Sequence, residues 1–129
     1  MKKLLSIILT VVLAVGVLVG CSQKPEEKQS SIDKIKAEGK VRIGVFSDKP
    51  PFGFVDEKGE NQGYDVYLAK RIAKDLLGDE NKVEYVLVEA ANRVEYLESN
   101  KVDIILANFT VTPERKEKVD FANPYMRLL

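Results

Sequence analysis

Residues 102–116 read VDIILANFTVTPERK, and this stretch decides the predicted fold. Its first six residues form a nearly continuous apolar run, which is typical of a parallel strand buried on both faces. A polar loop follows, and Thr112 with Pro113 then supplies a hydroxyl N-cap and a proline at the first helical position. The stretch therefore predicts a strand, a loop and a helix in immediate succession.

The same alternation extends toward the amino terminus. Apolar patterns predict strands at residues 41–45 and 83–88, and residues 56–60 predict a turn between two short extended pieces. Two prolines keep residues 46–52 from continuing the first strand. The first predicted helix is capped by Ser31 and runs to Glu38, and the second is capped by Asp65 and runs to Leu77 with Gly78 closing. A third helix is predicted to start at Asn92 or a neighbouring residue and to stop at Ser99–Asn100. This order indicates an α/β domain whose sheet is mostly parallel and flanked by helices.

The amino-terminal segment has the pattern of an export signal. Lys2 and Lys3 precede an apolar run over residues 4–19, and Cys21 follows a Leu-Val-Gly sequence directly. This ending resembles the lipobox of bacterial lipoproteins, which implies a signal peptide at residues 1–20 and lipid on Cys21. Residues 21–31 are polar and would tether the lipid to a domain outside the cytoplasm. An uncleaved anchor helix and an ordinary buried cysteine are the alternatives.

Composition excludes several classes of function. The 129 residues include 20 basic and 20 acidic side chains, no histidine and one cysteine. This balance gives no basic surface for nucleic acid. The absence of histidine removes Ser-His-Asp and Cys-His pairings and histidine metal sites, and one cysteine cannot form an internal disulfide. We therefore expect no nucleic-acid partner, no metal and no cofactor.

Binding residues are expected at one edge of the sheet. Loops that follow parallel strands gather there, and open α/β sheets bind ligands at that edge. The loops concerned are residues 46–52, 89–93 and 108–112. Asp48 with Lys49 fits an exposed ion pair, Phe52 a core or rim aromatic, and Arg93 by itself a surface arginine.

Arg115 and Lys116 break a local rule in the helix after the third loop. They fall in its first turn, where the helix dipole disfavours positive charge. With free backbone amides and threonine hydroxyls nearby, a guanidinium there suits a carboxylate or a phosphate. The alternative is a solvated ion pair of Arg115 with Glu114 or Glu117.

Three stretches carry a resemblance to a known family. They are VRIGVFSDKPPFGF at residues 41–54, NQGYDVYLAKRIAKDL at residues 61–76 and VDIILANFTVTPERKEKVDFANPY at residues 102–125. They resemble the solute-binding proteins of bacterial polar amino-acid ABC importers. The resemblance implies a periplasmic binding protein-like fold in which two α/β lobes close on a free amino acid and deliver it to a permease driven by an ATPase.

The resemblance also implies roles by position. Arg115 would clamp the substrate α-carboxylate, and Thr112 would cap its helix. Thr110 would give its backbone N–H to the carboxylate and its hydroxyl to the ammonium group, which the Asn108 carbonyl would also bind. The first loop, with Asp48, Lys49 and Phe52, would face the substrate side chain.

Two departures from the family pattern bear on the substrate. Lys49 stands where many members have an aromatic residue, and residues 89–93 read EAANR where many have an acid–aromatic pair. The extra cations, Lys49 and Arg93, favour an acidic or small polar amino acid. Aspartate or glutamate is the first expectation, followed by cysteine or another small polar amino acid.

Length is the largest departure from the family. Residues 32–129 correspond to an incomplete first lobe, and a second lobe is expected to be missing from the chain. Because half of the cleft would be absent, we expect residues 21–129 alone to bind amino acids weakly or not at all. An enzyme on the same scaffold, either a dehydratase or a module of a lytic transglycosylase, is the first alternative. A structural surface lipoprotein is the second.

Overall fold

The computed structural model describes residues 30–127. The predicted signal peptide, Cys21 and the tether up to residue 29 lie outside this range. Within it, no helix combines the length and the apolar character that crossing a membrane requires. In chain order, the elements are α1 (Ser31–Glu38), β1 (Val41–Val45), β2 (Asp48–Lys49), β3 (Gly53–Val55), β4 (Asn61–Gln62), α2 (Tyr64–Leu77), β5 (Val83–Leu87), α3 (Arg93–Glu98), β6 (Ile104–Leu106) and α4 (Pro113–Lys116).

A parallel sheet in the order β5-β1-β6 forms the centre of the fold and confirms the predicted fold class. Val41 of β1 lies opposite Val83 of β5, and Ile43 lies opposite Ile104 of β6. The strand predicted at residues 102–107 is shorter in the structure, because only Ile104–Leu106 pair with β1. Burial on both faces was expected for it, but Ile104 remains half-buried where this part of the chain pairs β6 on one side only.

The core lies between this sheet and the helices α1 and α2. Ala69 and Ala73 of α2 are four residues apart on one face of the helix, so their small side chains let it pack closely on the strands. Gly78 ends α2 as predicted, since its left-handed φ of 77° lets its N–H reach the carbonyl of Lys74. The buried cluster consists of Ile35, Val41, Ile43, Val45, Ala69, Ala73 and Leu106.

A second, antiparallel sheet consists of β2, β3 and β4, and β2 lies within the first loop. The turn predicted at residues 56–60 is confirmed, because Asp56 Oδ1 accepts from the N–H groups of Lys58 and Glu60 at 2.9 Å each. These bonds lower the pKa of the Asp56 carboxyl. The prolines do not exclude all pairing from residues 46–52, since Asp48 and Lys49 form the short strand β2.

Two helix caps differ from the prediction, by one residue in α1 and by two residues in α2. Ser30, not Ser31, caps α1, because its hydroxyl accepts from the backbone N–H of Asp33 at 3.1 Å. Helix α2 begins at Tyr64 after Gly63, so Asp65 is not its cap. Gly63 has a φ of 113°, and a Cβ there would lie 2.2 Å from the Phe52 carbonyl oxygen. This close approach of two backbone segments therefore requires glycine.

Asp65 instead links α2 to the carboxy-terminal part of the described chain. Its side chain is 0% exposed, and Oδ1 accepts from the Tyr125 hydroxyl at 2.9 Å, whereas Oδ2 has no partner within residues 30–127. Burial raises the pKa of the Asp65 carboxyl, and the bond from Tyr125 opposes that rise. An ionised carboxylate is therefore costly at this position.

We predict that Asp65→Asn reduces the dependence of stability on pH. The folded protein holds the Asp65 proton more tightly than the unfolded chain does, so this group favours folding most below the unfolded pKa of about 3.9. The benefit is lost as pH rises through the higher folded value. Urea unfolding is measured from about pH 3.9 up to neutral pH. Over this range, Asp65→Asn should gain stability relative to the natural chain as pH rises. Asp75→Asn, at an exposed position of α2, is the control; an equally flat difference for both variants would contradict the prediction.

Candidate functional site

The three predicted loops follow β1, β5 and β6 and meet at one edge of the parallel sheet. Residues from all three contact each other there: Arg93, the last residue of the second loop, lies over the ring of Phe46 in the first loop at 5.5 Å. The same guanidinium donates to the carbonyl oxygens of Ala107 at 2.7 Å and Asn108 at 3.1 Å in the third loop. The predicted meeting of the loops is confirmed.

Arg93 is a buried residue, and its interpretation as an ordinary surface arginine is wrong. It is 7% exposed, and its Nε donates to the Ala90 carbonyl at 3.2 Å in addition to the two bonds to the third loop. Burial lowers the pKa of its guanidinium, and the positive charge of Arg115 lowers it further. Arg93 thus joins the second loop to the third, a role that its place between Asn92 and Val94 in the sequence did not reveal.

Arg115 lies half-buried over the third loop. Its Nη1 donates to the Thr110 carbonyl at 2.7 Å, and its Cζ lies 4.8 Å from the centroid of the Phe109 ring. Thr112 caps α4 as predicted, since its Oγ1 accepts from the backbone N–H of Arg115 at 3.3 Å. The guanidinium is therefore fixed to the edge where the loops meet.

Arg115 was predicted as a site residue because the helix dipole disfavours positive charge in a first turn, and that reason does not hold. Helix α4 has only four residues, so Arg115 and Lys116 belong to its last turn as much as to its first. A cation near the carboxyl end of a helix is favourable, so no local rule is broken. The contacts of Arg115, rather than its place in a helix dipole, now support its assignment.

Phe109 forms a cluster with Arg93 and Arg115, which we call the arginine cluster. The sequence did not predict Phe109 as a site residue. Cζ of Arg93 and Cζ of Arg115 each lie 4.8 Å from its ring centroid. Within residues 30–127, neither arginine forms an ion pair with a carboxylate. The sequence could have pointed to Phe109 through its place between Asn108 and Thr110, two predicted site residues. Nothing in the sequence showed that two arginines contact its ring.

The backbone of Asn108 and Thr110 is already engaged within the loop. Asn108 has a left-handed φ of 46°, and its carbonyl accepts from both Arg93 and the Thr110 N–H, the latter at 3.1 Å. Its side-chain Oδ1 is buried without a partner in the described part of the chain. A ligand that used the Thr110 N–H or this carbonyl would have to replace the bond between them.

The first loop contributes an exposed ion pair. Lys49 Nζ lies 2.6 Å from Asp48 Oδ2, as expected for these neighbours, and 5.9 Å from the ring centroid of Phe46. Phe52 is half-buried, and its carbonyl accepts from the N–H of Asp65 at 2.9 Å. Contact between this loop and the arginine cluster runs through Phe46.

Asp103 forms an ion pair with Arg42 away from the edge where the loops meet. Asp103 lies before β6, at the opposite end of that strand from Arg93 and Arg115. Its carboxylate accepts three bonds from Arg42: Oδ1 from Nη2 at 2.7 Å, and Oδ2 from Nε at 3.1 Å and from the backbone N–H at 2.8 Å. The described residues contain no cluster of three or more Cys, Asp or Glu placed to hold a metal ion. The arrangement can bind a small anion, and a carboxylate matches the planar fork of Arg115.

Comparison with known proteins gives a family and a set of relatives. Residues 41–128 match the model of the bacterial extracellular solute-binding proteins, family 3. The chain is 38% identical over 133 aligned positions to the ABC transporter glutamine-binding protein GlnH of Bacillus subtilis, with 97% of this chain and 49% of that protein covered. The chain thus spans about half the length of this curated relative.

Two solved structures extend the comparison. A cysteine-binding protein from Campylobacter jejuni is 78% identical with a TM-score of 0.73, covering 74% of this chain and 39% of that one. A mutant of the arginine-bound form of domain 1 from TmArgBP of T. maritima is 41% identical with a TM-score of 0.68, covering 74% of this chain and 71% of that one. With the family model matching most of its residues, the chain belongs to the bacterial extracellular solute-binding proteins of family 3.

Proposed function

We propose that this chain binds the α-carboxylate of a free amino acid at the edge where its three strand-end loops meet. The observation that carries the proposal is the pair of guanidinium groups of Arg93 and Arg115 over Phe109, without an acidic partner in residues 30–127. Positive charge held at a partly desolvated edge is stabilised by an anionic ligand. Arg115, which is half-buried at that edge, is the residue proposed to clamp the carboxylate.

The backbone of the third loop would complete the recognition of the amino acid. Arg115 can offer two parallel N–H donors to the carboxylate, which is the geometry that guanidinium groups favour. Thr110 is exposed beside it, so its hydroxyl can reach the ammonium group, and Asn108 can offer its carbonyl. Asp48, Lys49 and Phe52 in the first loop are proposed to face the substrate side chain.

Cysteine is the amino acid that we place first. The preference for aspartate or glutamate relied on Lys49 and Arg93 as two available cations, but Arg93 already donates to three main-chain carbonyls and Lys49 pairs with Asp48. The Campylobacter jejuni protein, at 78% identity, is described as cysteine-binding. A small, weakly polar substrate side chain also suits the first loop, because Lys49, and not an aromatic residue, directly precedes its two prolines.

A single lobe is proposed to retain part of the binding. The sequence predicted weak or no binding by this chain alone, because a second lobe normally completes the cleft. The structure of a domain 1 described as arginine-bound, at 41% identity, supports retention of the carboxylate contacts in one lobe. We therefore expect measurable affinity that is weaker than that of a two-lobed protein.

Titration followed by NMR tests this function. The ¹⁵N-labelled chain, kept in detergent because of its apolar amino-terminal run, is titrated with cysteine under reducing conditions and separately with aspartate, glutamate and glutamine. Saturable shifts at residues 108–115 with the highest affinity for cysteine are expected. No saturable shift with any amino acid would overturn the proposal, and tightest binding of aspartate would overturn the substrate assignment.

In the cell, the chain is proposed to be the substrate-binding part of an amino-acid ABC importer. Residues 1–20 would direct export, lipid on Cys21 would hold the protein at the outer side of a membrane, and residues 21–31 would tether the first-lobe residues 32–129. The permease would receive the amino acid, and the ATPase would act through the permease. Metabolic labelling with a radioactive fatty acid should mark the natural chain and not Cys21→Ser; equal labelling would contradict the anchor.

A further inference from the structure

Phe109 supports both guanidinium groups at the proposed site. The Cζ atoms of Arg93 and Arg115 each lie over its ring, 4.8 Å from the centroid, and the negative face of an aromatic ring attracts such cations. The ring also contacts Phe121, whose centroid is 5.2 Å away with the two planes tilted by 43°. Phe109, in the third loop, therefore contacts Arg93 of the second loop, Arg115 of α4 and the segment that follows α4.

The backbone fixes Phe109 in this position. The preceding residue, Asn108, has the left-handed φ of 46°, and its carbonyl is bonded to Arg93 at 3.1 Å. The following residue, Thr110, accepts from Arg115 at 2.7 Å. Each arginine thus binds the main chain beside the same ring that it contacts, so the ring and the two guanidinium groups are held as one unit.

The Phe109 ring is uncharged, so it does not compete with a ligand for the N–H donors of Arg115. A carboxylate of the protein bonded to Arg115 would compete with a substrate carboxylate for the same N–H donors. An aromatic ring contacts the face of a guanidinium group and leaves the donors in its plane available. Phe109 can therefore hold Arg115 without neutralising it.

We infer that Phe109 is a positioning residue: its ring holds the Arg115 guanidinium in the orientation that binds the substrate carboxylate. The inference rests on the proposed amino-acid binding and adds a residue that would act through Arg115 without bonding the ligand. It predicts that the ring, and not only the apolar volume of Phe109, is required.

Phe109→Leu and Phe109→Tyr separate the ring from the volume. Leucine keeps an apolar side chain without a π face, and we expect cysteine to bind about tenfold more weakly to that variant. Tyrosine keeps the ring and should restore affinity to within about twofold of the natural chain. Phe121→Leu is the matched control, because it removes an aromatic neighbour of Phe109 whose own ring contacts no guanidinium group within residues 30–127. Its affinity should stay within about twofold of the natural value.

A second measurement needs no ligand. In the ¹H–¹⁵N spectrum of the full chain in detergent, the ring should shift the Nε–Hε signal of Arg115, which is assigned by its loss in Arg115→Lys. Phe109→Leu should remove that shift, and Phe109→Tyr should retain it. If Phe109→Leu fails to fold by circular dichroism, Phe109→Met takes its place.

The outcomes separate this inference from the proposed function. Unchanged affinity in Phe109→Leu, an unchanged Arg115 signal in that variant, or an equal loss in Phe121→Leu would each overturn the positioning role. A natural chain that binds no amino acid overturns the proposed function, and the Arg115 signal in the unliganded protein then still decides whether the ring holds the guanidinium.

Discussion

Replacing Arg115 by alanine is expected to remove most of the amino-acid binding of this chain. The substitution deletes the guanidinium proposed to pair with the substrate carboxylate at a half-buried edge of the sheet. Truncating one member of such a charge pair typically costs about 2–5 kcal/mol, and 2 kcal/mol corresponds to roughly 30-fold in affinity. Titration with cysteine, followed by NMR as for the natural chain, measures the loss.

Lys116→Ala is the matched control for this prediction. Lys116 is an exposed cation of the same short helix, and its removal changes the net charge by the same amount. A long-range effect of charge would weaken binding in both variants, whereas a direct bond weakens it in Arg115→Ala alone. Arg115→Lys should recover only part of the affinity, because an ammonium group cannot form the two parallel bonds. Retained affinity in Arg115→Ala would refute the assignment of its role.

Replacing Arg93 by methionine is expected to lower the free energy of unfolding by about 3 kcal/mol. Methionine keeps much of the apolar length but removes the donors to the carbonyls of Ala90, Ala107 and Asn108. Ala107 is fully buried, so its carbonyl would remain without the guanidinium donor and away from water. The contacts with the Phe46 and Phe109 rings would be lost as well. Urea unfolding at neutral pH measures the change.

Arg71→Met is the control for the Arg93 prediction. Arg71 is exposed on α2, so the same substitution there removes an arginine that no loop depends on. It should change stability by less than about 0.5 kcal/mol. Arg93→Lys should be nearly as destabilising as Arg93→Met, since one ammonium group cannot serve three carbonyls and two rings. A loss in Arg93→Met no larger than that in Arg71→Met would show that Arg93 does not hold the loops together.

Much of the fold was predictable from local pattern. The continuous apolar run before Asn108 predicted a parallel strand, the left-handed glycine Gly78 ended its helix where expected, and Thr112 capped α4. These features depend on a residue and its near neighbours, so a sequence contains the information. Helix starts were less well predicted, because Ser30 and Ser31 have the same capping chemistry and only the structure shows which one accepts the bond.

The location of the site was predictable from the sequence, but the full set of residues that form it was not. The parallel sheet required the three loops to share an edge, and Arg115 was already a candidate there. Arg93 was misjudged because its burial depends on Phe46, which lies 47 residues earlier. Asp65 was assigned as a helix cap because capping is a local rule, whereas its partner Tyr125 lies 60 residues later.

The sequence by itself therefore determined the order of strands and helices, the edge at which their loops meet and the family to which the chain belongs. Only the tertiary structure decided which side chains act together at that edge, above all the placing of two arginines over Phe109. The physical reason is range: backbone periodicity, capping and turn formation are fixed within a few residues. Burial, and the choice between a carboxylate and an aromatic ring as the partner of a cation, depend on residues that are distant along the chain and adjacent only once it has folded.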